Sequence, residues 1–153
     1  MKLKPIAYLG LVIALLVSVQ ANAFDPPKQY RSLAWGASPN GSLKKFAGPT
    51  SDGTTLYAPT PGKKPAPLFD LPVTEENYSF THGKLYAASA YLDGRANFDK
   101  MKAALIKAYG PPSFSNERAD LFKWKWPRSK IEVHLYYQAK FSKTTVTYLN
   151  NAI

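Results

Sequence analysis

Apolar and polar positions alternate most regularly over the last third of the chain. Leu121–Trp126, Ile131–Gln138 and Lys143–Leu149 each follow a period of two and read as strands. A turn at 127–130 pairs Trp126 with Ile131, Trp124 with Val133 and Phe122 with Leu135. The next connection pairs Leu135 with Val146 and Val133 with Tyr148, so both hairpins agree on a single apolar face. The opposite face collects Lys123, Lys125, Glu132, His134, Tyr136, Thr145 and Thr147, which predicts an antiparallel sheet with one wet side. Upstream the period lengthens. Phe98, Met101, Leu105, Ala108 and Tyr109 fall on one face of a helix over 98–109, with Asn97 as N-cap and Gly110-Pro111 as the stop.

Before that helix the pattern loosens. Asn77–Thr81 and Lys84–Leu92 read as two strands joined at His82-Gly83, although Leu85 and Tyr86 are adjacent and both favour burial. Prolines and glycines crowd residues 48–72, where Thr54–Ala58 and Pro67–Leu71 suit only edge strands and the rest forms a surface excursion. Tyr30–Gly36 suggests a short strand. Ser38 and Pro39 open a helical turn that ends near Phe46. The expected fold is α+β: an antiparallel sheet of about five or six strands with one main helix packed on its apolar face.

The first residues carry a different signal. Lys2 and Lys4 precede an apolar run from Ile6 to Val19, and Ala21-Asn22-Ala23 meets the small-x-small rule. This predicts a signal peptide over 1–23, cleaved between Ala23 and Phe24, and a mature α+β domain over 24–153. The apolar run is shorter than the roughly 20 residues that span a bilayer, and no transmembrane segment is expected in the mature chain. With no cysteine anywhere, neither lipid attachment at a thiol, nor a disulfide, nor a thiolate metal site is available. The expected location is the periplasm or the space outside the cell, and the expected state a monomer.

The formal charge is +10, of which Lys2 and Lys4 account for two. For an exported protein such a balance points to anionic lipid or polysaccharide of the envelope, or an envelope protein, and away from nucleic acid. The cations concentrate at Lys123-Trp124-Lys125-Trp126-Pro127-Arg128-Ser129-Lys130. Lys123, Lys125, Arg128 and Lys130 are therefore the candidate anionic-surface residues. Strand alternation sends Trp124 and Trp126 towards the core, whereas an inverted strand would present the indoles to a ligand.

Catalytic chemistry is harder to find. There is no Gly-x-Ser-x-Gly, no phosphate-binding glycine loop and no cluster with metal-ligand spacing. Glu132 and His134 share a strand face without a serine placed beside them, and Glu75-Glu76 read as a solvated lip rather than a glycosidase pair. No catalytic residue, cofactor or metal is expected.

The Tyr30-Arg31-Ser32-Leu33-Ala34-Trp35-Gly36 start, the Tyr78-x-Phe80 hairpin continuing into Gly83-Lys84-Leu85-Tyr86, the Tyr109-Gly110-Pro111-Pro112 helix end and the tryptophan-bearing meander resemble a group of small uncharacterised exported proteins of Gram-negative bacteria. The resemblance implies export and an α+β fold, and it implies no activity. The expected function is a non-catalytic binding or accessory protein of the cell envelope, acting through its sheet surface and the proline-rich excursion. The alternatives are a small periplasmic hydrolase without a recognisable motif, or a basic protein that binds lipid or polysaccharide directly.

Overall fold

In a computed structural model, which describes residues 24–153, the chain opens with a hairpin of β1 (Gln29–Tyr30) and β2 (Leu33–Ala34). It continues through β3 (Leu43–Ala47), β4 (Thr54–Pro59), β5 (Glu75–Thr81), β6 (Lys84–Asp93) and α1 (Arg95–Tyr109). The chain then completes its sheet with β7 (Phe114–Asn116), β8 (Leu121–Trp126), β9 (Ile131–Gln138) and β10 (Lys143–Asn150). The expected signal peptide over 1–23, with Ala23 at its junction, lies outside the described residues.

Strands β3 to β10 form one antiparallel sheet in the order β3-β4-β5-β6-β10-β9-β8-β7. Two four-strand meanders thus meet at β6 and β10, and α1 carries the chain from the centre to the far edge. This overturns the expected α+β sheet of five or six strands. The protein is mostly sheet, 45% strand against 16% helix, with eight strands in the main sheet and a separate two-strand hairpin. Two strands account for the shortfall. Residues 43–47, expected in a helical turn, pair with β4 instead, and the short β7 lacks any alternation to reveal it. Conversely, Pro67–Leu71 is no strand and makes only an isolated bridge between Leu68 and Leu71. β4 is interior rather than an edge, and proline enters it only at its last residue, Pro59.

The C-terminal registers are those the alternation predicts: Trp126 opposite Ile131, Trp124 opposite Val133, Leu135 opposite Val146 and Val133 opposite Tyr148. The conflict between Leu85 and Tyr86 is resolved by a β-bulge. Ser79 pairs with Ala87 but Phe80 pairs with Leu85, so Tyr86 is the extra residue and Leu85 joins Ala88, Ala90 and Leu92 inside.

The inner face is covered in two parts. Phe98, Met101 and Leu105 of α1 pack on the half containing β6, β9 and β10, with Phe98 6.0 Å from Phe122 between ring centroids. Tyr30, Leu33, Trp35, Leu68, Leu71 and Val73, from the β1–β2 hairpin and the excursion, complete the same core. The helix starts three residues earlier than the apolar stripe implies. Gly94, at φ 81°, makes the corner that a side-chain cap would otherwise mark, and Asn97 donates to the Asp93 carbonyl at 2.7 Å instead of capping. Gly110 ends the helix at φ 75°, its N–H bonded to the Ile106 carbonyl. A Cβ there would stand 2.5 Å from the Phe24 ring, so the site demands glycine twice over.

Among the described residues, no helix is long and apolar enough to cross a membrane.

Candidate functional site

The β8–β9 hairpin places the four candidate cations at one end of the sheet. Lys123 and Lys125 project from the outer face because Phe122 and Trp124, on the other parity, are buried to about 1% exposure. The turn that follows holds Lys130 at φ 56°, and its backbone is secured from both sides. Ser129 Oγ donates to the Trp126 carbonyl, and the Lys130 carbonyl accepts from the Asn151 N–H at 2.8 Å. Arg128 and Lys130 are exposed on that turn. Lys125 Nζ lies 3.8 Å from Glu132, whereas Lys123, Arg128 and Lys130 make no ion pair among the described residues. Lys123 instead lies 5.8 Å from the centre of the exposed Phe114 ring.

The two tryptophans part company. Trp124 is a core residue, its indole N–H bonded to the Gly110 carbonyl at 2.8 Å. Trp126 is only half-buried. Its ring meets Tyr109 edge-on at 5.3 Å, and its indole N–H donates to the Phe24 carbonyl at 2.7 Å. Phe24 therefore belongs to the site, which alternation could not reveal because the contact spans 102 residues of chain.

Around Trp126 lie two adjoining depressions. One, of about 630 Å³, is walled by Phe24, Asp25, Trp126, Pro127 and Arg128. The other, of about 260 Å³, runs between Lys130 and Glu132. Lys125, Trp126 and Pro127 border both.

Beside the cations, the outer face carries one polar constellation. Glu132 accepts a 2.6 Å hydrogen bond from His134 Nε2, and Ser89 and Thr147 hydroxyls lie 2.9 Å apart on the same row, with Thr147 opposite His134. Burial holds the His134 imidazole below its ordinary range. Glu132 opposes that shift, and Lys123 and Lys125 reinforce it. The balance favours the neutral form of the ring. No hydrogen bond among the described residues joins it to Thr147, so the arrangement is a paired histidine rather than an assembled triad. The face is not uniformly wet: Thr145 is fully buried and its hydroxyl has no partner among the described residues. Among the described residues, no three His, Asp or Glu side chains gather in metal-binding geometry.

The largest departure from the sequence reading lies on the inner face. Glu75 and Glu76 do point to opposite sides, but Glu76 is 4% exposed rather than solvated. Its Oε1 accepts from Tyr30 OH at 2.6 Å and from Arg31 Nε and Nη2 at 2.9 and 2.6 Å, and its Oε2 accepts from Tyr78 OH at 3.1 Å. Arg31, at φ 56°, also donates to the Ala66 and Pro67 carbonyls, which clasps the proline-rich excursion to the sheet. Burial, then the Glu76 charge, raises the Tyr30 and Tyr78 phenols well above their usual value. One signal for this cluster was available: Glu76 shares its parity with Tyr78 and Phe80. Its partner 45 residues away was not.

No family model, curated protein or solved structure matches the chain.

Proposed function

We propose that the protein is an exported, non-catalytic binding protein of the bacterial envelope that engages anionic surfaces through the β8–β9 end of its sheet. The observation that carries this reading is the grouping of Lys123, Lys125, Arg128 and Lys130 around the half-buried Trp126. Of these four cations only Lys125 has an acidic partner among the described residues. Alternate strand positions lie about 7 Å apart, so Lys123 and Lys125 act on a ligand within one Debye length of each other. Each cation near an acidic surface contributes about 1 kcal/mol, so the four together support weak, salt-sensitive attachment. The Glu132–His134 pair lowers the local positive field without removing it.

Cosedimentation with phosphatidylglycerol vesicles or with acidic polysaccharide at low and high salt tests the reading. Binding at low salt that disappears when all four cations are changed to Gln supports it. No binding to either material, or binding that the variant retains, returns the charge to a solubility role. Export is tested separately. Protein recovered from the periplasm should begin Phe-Asp-Pro-Pro, and an intact Met1 on a membrane-bound product would refute the periplasmic assignment.

A further inference from the structure

We infer that the depression beside Trp126 takes a short segment of an acidic glycan, a chain of sugars bearing carboxylates, rather than the headgroup layer of a membrane. The inference rests on the anionic-binding reading above and narrows its ligand.

Shape is the first argument. A membrane-surface protein presents its aromatic and basic side chains on a protruding surface, with indoles free to settle at headgroup depth. Here Trp126 is held back. Its ring is wedged on Tyr109, and its N–H is engaged by the Phe24 carbonyl. The indole cannot extend without breaking both contacts, but it offers a fixed apolar wall. The depression, about 630 Å³, is within the range of small-ligand sites.

The donor set is the second argument. Trp126, Pro127 and Phe24 supply apolar surface suited to the carbon faces of pyranose rings, while Arg128 and Lys125 supply cations for carboxylates. Asp25 lines the same depression and makes no ion pair among the described residues. A carboxylate repels a lipid phosphate and a glycan carboxylate alike, but along a glycan the hydroxyls outnumber the charges. Asp25 is a good acceptor for those hydroxyls. A ligand that combines hydroxyls, anionic groups and apolar ring faces satisfies all three kinds of side chain at once. The preset Trp126 also lowers the ordering cost of stacking.

Calorimetry and tryptophan fluorescence on the protein purified from the periplasm would test this. The probes are galacturonate and mannuronate hexamers, neutral maltohexaose of equal length, and phosphatidylglycerol vesicles. A uronate hexamer is expected to bind at least about tenfold more tightly than maltohexaose and to perturb tryptophan emission. Arg128→Gln should weaken that binding about tenfold, and Asp25→Asn should weaken it several-fold although it makes the site more positive. The Asp25 result is the discriminating one, because pure charge attraction predicts tighter binding instead. If vesicles bind and neither hexamer does, the glycan inference falls while the anionic-surface reading stands. If no probe binds, both fall. Hexamer binding that Asp25→Asn strengthens, or that Arg128→Gln leaves unchanged, also overturns the inference.

Discussion

Replacing Arg31 with Met would remove the cation that bonds Glu76 in the inner core, and the structure sets the scale of the loss. Both Arg31 Nε and Nη2 bond to Oε1 of a carboxylate that is only 4% exposed. Stranding one member of a buried ion pair costs about 3–5 kcal/mol. Two features place this case towards the lower end: the Arg31 side chain is 22% exposed, and Tyr30 and Tyr78 still donate to Glu76 after the change. The expected loss is about 2–4 kcal/mol, against a typical total stability of about 5–15 kcal/mol. Urea unfolding followed by tryptophan fluorescence would read it directly. Adding Glu76→Gln to Arg31→Met should recover part of the loss, since the neutral amide still accepts from a phenol and no buried charge remains. A local effect should accompany the global one. Arg31 holds the Ala66 and Pro67 carbonyls, so trypsin should cleave after Lys63 faster in the variant. A loss below about 1 kcal/mol, or a double variant whose loss is the sum of the single ones, would refute the clasp.

Two further outcomes follow from burial elsewhere. Trp124→Ala should cost about 3–5 kcal/mol through the cavity alone and also strand the Gly110 carbonyl, whereas Trp124→Phe strands the same carbonyl but leaves a smaller cavity and should cost less; thermal melts of both would show it, and an unchanged Trp124→Ala melt would place the indole outside the core. Burial raises the Tyr30, Tyr78 and Tyr148 phenols, so the unfolded chain releases their protons first, from about pH 10, and stability should fall above that pH by about 1.4 kcal/mol per unit for each phenol; absorbance at 295 nm should show them ionising only as circular dichroism reports unfolding, and full ionisation of an intact fold would contradict it.

Much of the C-terminal half was legible because its information is local. Alternation over 121–149 specifies which residues share a face, and short turns leave one register that keeps Trp124, Val133, Leu135 and Val146 together. Helix α1 was legible for the same reason, since its apolar stripe repeats within the element, although its start was displaced where Gly94 makes the corner without a side-chain cap. At the candidate site, the parity of Lys123 and Lys125 followed from the strand, and so did the burial of Trp124.

What the chain could not disclose on its own were relations between distant segments. β3 carries exposed lysines and so lacks the alternation of a half-buried strand; only pairing with β4 makes it one. Tyr86 could be recognised as a bulge residue only once the ladder between β5 and β6 left it without a partner. Glu76 looked solvated because a carboxylate ordinarily is, and its burial depends on Arg31 and Tyr30 arriving from another part of the chain. Likewise Phe24 completes the Trp126 depression by a hydrogen bond across nearly the whole described chain. Local pattern determines which face a side chain takes, because backbone periodicity is a property of neighbours. Which charges are neutralised and which grooves close is decided only when remote segments meet, because those energies depend on the partner rather than on the residue.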